Sequence, residues 1–151
     1  MRTERWPVAG SFAIARGSRT EAVVVVVELS DGTHAGRGEC VPYRRYGETV
    51  EKVIAAIEGQ RDALARDLDR AVLQTIIGPG AARNALDCAF WDLEAKRAGQ
   101  PAHALAGLPP PLPLTTALTI SFGTPAAVQA ARLSARLRAL QDSLASTISS
   151  A

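Results

Sequence analysis

The chain has 151 residues, 47% hydrophobic and 21% charged, with a formal net charge of +2, so it can bury an ordinary core as a soluble globular domain. So small a net charge makes no electrostatic case for a nucleic-acid or membrane partner. The two cysteines, Cys40 and Cys88, match no zinc or dithiol spacing and are expected as buried free thiols of a reducing, cytoplasmic compartment.

No signal-peptide pattern is visible, and no apolar run approaches the ~18–20 residues of a membrane span. Trp6 to Ala15 alternates imperfectly and predicts a strand interrupted near Pro7 and Gly10. Arg16 to Glu21 reads as a polar loop. Ala22 to Leu29 contains consecutive valines from Val23 to Val27, a β-branched run unsuited to a helix. Asp31-Gly32 marks a tight turn, and Thr33 to Val41 returns as a third strand in which Gly36 and Gly38 thin one face. The pattern is an antiparallel meander of three strands.

Pro42 to Gly47, PYRRYG, forms a second loop. Glu48 to Ala65 predicts an amphipathic helix with Val50, Val53, Ile54, Ile57 and Leu64 on one side, and Asp67 to Ile77 a shorter one. Gly78-Pro79-Gly80 and then Gly99 and Pro101 frame a further helix, with Ala82, Leu86, Ala89, Phe90 and Leu93 at helical spacing. Strands first and helices after predict an α+β domain with helices on one sheet face. Pro109 to Pro111 is a stiff linker, Leu112 to Phe122 a strand, and Thr124-Pro125 the start of a helix running to about Leu144. That last pair is a single β/α unit, which cannot close a barrel alone. The expected domains are 1–108 and 109–151.

The order of residues adds to this. The segments GRGECVPYRRYGET, GPGAARNALDCAFWDLEAKRAGQP and TTALTISFGTP resemble, in that order, the dipeptide epimerases of the enolase superfamily, in its muconate-lactonizing subgroup. The resemblance covers roughly Trp6 to Pro125. It implies an enolase-like N-terminal capping domain, a meander followed by a helical bundle, and then the first strand and helix of a truncated TIM-like barrel. It also implies a Mg2+-dependent epimerase of L-Ala-D/L-Glu or a related dipeptide. In that family lysines on both sides of the barrel handle the α-proton, and the ion holds the enolate. Those lysines and the acidic metal ligands belong to later barrel strands. Here the chain ends in ALQDSLASTISSA, with no lysine beyond Lys96. We therefore expect an N-terminal fragment, either a piece of a longer chain or, as favoured, the product of a frameshift or premature stop, that is inactive alone and binds no Mg2+.

The resemblance marks four substrate-binding residues. Arg19 matches the arginine that pairs with the substrate's side-chain carboxylate, a role the guanidinium fork suits. Tyr43 and Tyr46 lie in the loop that covers the substrate, where Arg44 replaces a usual proline. Thr119 matches a first-strand threonine facing the active site. No catalytic or metal-binding residue is assigned. Asp87 and Asp92 belong to the cap helix and are given helix-end or salt-bridge roles, and His34 and His103 none. Two other readings are a capping domain acting as a stand-alone interaction module, and nucleic-acid binding through Arg132, Arg136 and Arg138, which the small net charge disfavours. A lone apolar strand over 112–122 would expose an edge, so self-association is expected there.

Overall fold

The computed structural model describes residues 1–14, 17–66, 68–115 and 124–149. Three antiparallel strands lie in the order β1 (Arg2–Ile14), β2 (Gly17–Ser30) and β3 (Ala35–Cys40). β2 faces β3 with Val25 opposite Cys40 and Ser30 opposite Ala35. In the loop between them Asp31 Oδ1 accepts the N–H groups of Thr33 and His34 at 2.9 and 2.7 Å, and Gly32 takes φ +90°. That is an Asx turn closed by a residue in the left-handed region.

Two expectations for the strands are corrected. β1 is continuous through Pro7, because an edge strand tolerates a residue without an N–H. The polar loop expected over Arg16–Glu21 is strand from Gly17 onward. Residues 17–21 are all exposed, so no apolar alternation marks them as strand. Glu21 is held across to β1 by Arg5 Nη1 at 2.6 Å.

The helices follow: α1 (Val50–Glu58), α2 (Arg61–Leu64), α3 (Arg70–Ile76), α4 (Ala81–Ala98), α5 (Ala102–Leu105) and α6 (Pro125–Ser149). The single helix expected over Glu48–Ala65 is split, with Gly59 and Gln60 turning the chain between α1 and α2. Thr49 caps α1 by accepting the N–H of Lys52, and Asp69 caps α3 by accepting that of Val72 at 2.7 Å. Gly99 ends α4 at φ +62°, with Gln100 N–H reaching back to Ala95 O at 3.1 Å, a Schellman closure. His103 sits in α5.

The core lies between the sheet and α1, α3 and α4. Val25, Val27, Val53, Ile57, Leu73, Leu86, Ala89 and Phe90 are buried in one cluster. α4 rests directly on β3. A Cβ on Gly36 or Gly38 would land on the backbone carbonyl of Ala89 or Ala85 respectively, so both glycines are contact points for a helix backbone. The polar side chains of α4 then satisfy the open edge of β3. Asp92 Oδ2 accepts Arg37 N–H at 2.7 Å, Lys96 Nζ donates to Ala35 O at 2.7 Å, and Asn84 Nδ2 donates to Glu39 O at 3.3 Å. An edge strand is thereby covered rather than left to pair with another chain. Asp92 also receives Lys96 at 2.7 Å, and Asp87 accepts Gln74 Nε2 at 2.8 Å.

The thiol expectation holds for Cys40, which is buried, and fails for Cys88, which is exposed. Helical spacing puts Cys88 off the face that carries Ala85, Leu86, Ala89 and Phe90. Trp91 is half-buried, with the Arg70 guanidinium 3.5 Å from its ring centroid and that guanidinium bonded to Glu94 at 3.2 Å.

The chain divides into two compact units, Met1–Pro7 with Glu21–Leu112, and Val8–Thr20 with Pro113–Ala151. The second contains the far ends of β1 and β2 together with α6, whose first turn is capped by Thr124 Oγ1 accepting Ala127 N–H at 3.3 Å. Of the strand expected over Leu112–Phe122, residues 112–115 belong to no strand, and 116–123 lie outside the described residues.

Candidate functional site

The 43–47 loop is built almost without a core. Tyr43 opens a single 3-10 turn, Arg44–Tyr46, and Gly47 closes it at φ +74° with its N–H on Arg44 O at 3.0 Å. Both tyrosines face solvent, Tyr46 being 76% exposed and Tyr43 38%. Their ring centroids stand 5.6 Å apart at 48°, a favourable tilted aromatic pair.

Polar anchors hold this loop in place of packing. Glu48 Oε2 accepts Tyr43 N–H at 2.9 Å, and its Oε1 accepts Ala81 N–H, the first of α4, at 2.6 Å. Those two backbone donors, Ala81 first, hold the Glu48 carboxyl below the usual carboxylate range. Lys52 Nζ donates to Gly47 O at 3.1 Å. Gly80 adopts φ +155°, and a Cβ there would stand 2.8 Å from Glu48 Oε1. Residue-by-residue reading missed Glu48, Lys52 and Gly80. The apolar spacing puts Glu48 at the head of a helix; the signal against it is Thr49, a better N-cap that leaves Glu48 outside.

Of the other site residues from the sequence, Arg19 lies exposed on β2, in the unit containing Val8–Thr20. Tyr43 and Tyr46 are brought together in the other unit. Thr119 lies outside the described residues. A cavity of about 650 Å3 opens elsewhere, between the end of β2, α1, α2 and α4. Leu29, Leu64, Leu68 and Phe90 line it, and its arginines Arg61 and Arg97 are paired with Glu58 and Asp31. It shares no residue with the tyrosine loop. Among the described residues no group of three or more His, Cys, Asp or Glu could hold a metal ion, and no helix is long and apolar enough to cross a membrane.

The model of the mandelate racemase / muconate lactonizing enzyme N-terminal domain matches residues 1–107. The chain belongs to that family. The L-Ala-D/L-Glu epimerase of Escherichia coli is 51% identical to it over 122 residues, 81% of this chain and 38% of the relative. An N-acetyl-D-glutamate racemase from Pseudoalteromonas sp is 37% identical over 113 residues, 73% of this chain and 35% of the relative. Among solved structures, an enolase family member from Agrobacterium tumefaciens with homology to dipeptide epimerases superposes with a TM-score of 0.79 at 53% identity, covering 85% of this chain and 40% of that one. It was crystallised with sodium and L-Ala-L-Glu. A dipeptide epimerase from Methylococcus capsulatus, complexed with Mg and L-Arg-D-Lys, superposes at 0.57 with 32% identity, covering 70% of this chain and 33% of that one. The resemblance to dipeptide epimerases of the enolase superfamily is therefore borne out, as is the capping-domain fold. The chain spans little more than a third of the length of the curated relatives it matches.

Proposed function

We propose that this chain supplies the capping part of a dipeptide epimerase acting on L-Ala-D/L-Glu or a closely related dipeptide by 1,1-proton transfer at the α-carbon. The observation that carries this reading is the 51% identity over 122 residues to the Escherichia coli epimerase, a stretch long enough to include the tyrosine loop and α4. Arg19 would grip the side-chain carboxylate of the dipeptide with its guanidinium fork. Tyr43 and Tyr46 would wall the substrate from water, and Thr119 would contact it. The domain division is taken as cap over 1–108 and barrel start over 109–151, in a cytoplasmic enzyme.

The proton chemistry lies outside the described residues. An α-proton beside a carboxylate needs a positioned base and a cation to hold the developing charge. Both lysines of the chain are already engaged, Lys52 on Gly47 O and Lys96 on Ala35 O and Asp92. The Mg of the crystallised relatives finds no fitting ligand cluster among the described residues, so no step runs through it here. In this reading the chain by itself is inactive.

The test is a chimera of residues 1–107 joined to the barrel of the Escherichia coli relative. It is expected to epimerise L-Ala-D-Glu and exchange its α-proton with deuterated water, while the 151-residue chain does neither. Arg19→Ala in the chimera should lower kcat/KM for glutamate dipeptides by about 10–100-fold, the scale of a charge-assisted hydrogen bond. A folded but inactive chimera, or exchange by the chain alone, would refute the reading.

A further inference from the structure

We propose that Glu48 is the positioning residue of the tyrosine loop: its carboxylate ties the loop to the first turn of α4 and so fixes where Tyr43 and Tyr46 stand over a dipeptide. The role over a dipeptide rests on the function proposed above; the tether itself does not.

Three independent observations point to it. First, the carboxylate spans two separate elements, with one oxygen on Tyr43 N–H at 2.9 Å and the other on Ala81 N–H at 2.6 Å. Second, Gly80 leaves the space that Oε1 occupies: its φ of +155° is one few other residues adopt, and a side chain would meet the carboxylate at 2.8 Å. Third, the 3-10 turn over 44–46 buries none of its residues, so core packing contributes little to its shape. Lys52 on Gly47 O secures the other end of the turn. Such a turn, with Tyr46 largely exposed, gains fixed points from these tethers. α4 is in turn fixed to β3 by Asp92, Lys96 and the two glycine contacts. The tether therefore refers the tyrosines to a helix seated directly on the sheet, which is what a substrate-covering loop needs to hold its side chains within a fraction of an ångström.

A carboxylate accepts through both oxygens, whereas a carboxamide of the same shape has one acceptor and presents an NH2 to the other donor. Glu48→Gln keeps volume and loses one leg of the bridge. The experiment is amide exchange and NMR on the whole chain, without dipeptide. In Glu48→Gln the amide of Tyr43 or Ala81 is expected to exchange on the order of tenfold faster. The ring-to-ring contacts of Tyr43 and Tyr46 should weaken, and the amides of Val25–Val27 should be unchanged. Glu48→Ala should release both amides. Unchanged exchange at Tyr43 and Ala81, or faster exchange only together with Val25–Val27, overturns the proposal. Because no dipeptide is present, that failure is separate from failure of the chimera.

Discussion

Gly38→Ala is expected to be among the most damaging single-methyl additions in the chain. The new Cβ would fall on the carbonyl oxygen of Ala85, 2.7 Å from Ala89 N and 3.1 Å from the Ala85 carbonyl carbon. Ordinary carbon contacts need about 3.5–4.0 Å, so α4 would have to retreat on the order of 1 Å. The obstructing atoms are helix backbone, and no side-chain rotation can relieve them. Overpacking costs about 1–3 kcal/mol. Retreat also stretches the Arg37-to-Asp92 and Lys96-to-Ala35 bonds, both 2.7 Å. Hydrogen bonds to charged groups contribute about 1.5–3 kcal/mol each when intact. Restricting the unfolded chain returns only about 0.4–1 kcal/mol. The net loss is about 2–5 kcal/mol, against a typical domain stability of about 5–15 kcal/mol. Gly78→Ala is the control: nothing lies within 4 Å of its Cβ, and it should be neutral or stabilising by up to about 1 kcal/mol. Urea unfolding followed by far-ultraviolet circular dichroism reads both. A Gly38→Ala protein within about 0.5 kcal/mol of the parent would refute the contact argument.

Acid should destabilise the fold. Asp31, held down first by His34 N–H and then by Arg97, Glu48 on Ala81 and Tyr43, and Asp92 on Lys96 and Arg37 all have carboxyls below their ordinary range. A depressed folded value gives stability that is full above the ordinary carboxylate value and lost as pH falls through the folded one, so urea midpoints should hold from pH 7 to 5 and drop below about pH 4; midpoints unchanged at pH 2 would contradict this. Cys40, whose thiol burial pushes up to about 11, should resist a thiol reagent until the chain unfolds, while exposed Cys88 reacts in the folded state, slowed by partial burial and the nearby Asp87 charge. Mass spectrometry of the labelled chain identifies which cysteine is modified. Arg70→Ala should cost about 1–2 kcal/mol through loss of the Trp91 stack and the Glu94 pair, and Arg70→Lys should recover little of it, because an ammonium lacks the planar fork; thermal unfolding distinguishes the two.

The framework of the fold was legible because strong local signals agreed with the tertiary arrangement. The valine run, the Asp31-Gly32 turn and the glycine and proline residues bracketing α4 each dictate one backbone state, and each matches the structure. The errors fell where burial is absent or changes sides. Residues 17–21 are an exposed ribbon whose side chains carry no period-two pattern. Gly59 breaks a helix whose apolar spacing continues across the break into Leu64. Cys88 neighbours apolar residues in sequence but lies on the exposed side of its helix.

The candidate site was legible only through resemblance. Tyr43 and Tyr46 are exposed aromatics in a loop, and spacing alone assigns such residues nothing. Glu48 is a single acid among fifteen, and what gives it a role is a donor 33 positions away at Ala81. The most recognisable text of the chain has a different origin. In NALDCAFWDLEAK, Asn84, Asp92 and Lys96 serve the open edge of β3, while Ala85, Ala89 and Leu93 receive Gly36 and Gly38. Those contacts of the motif seat one helix on one strand. What they provide is rigidity at the first turn of α4, where Glu48 takes hold of the tyrosine loop. Because the 43–47 turn is tied to α4 through backbone N–H groups, its side chains can change without disturbing the helix and strand beneath.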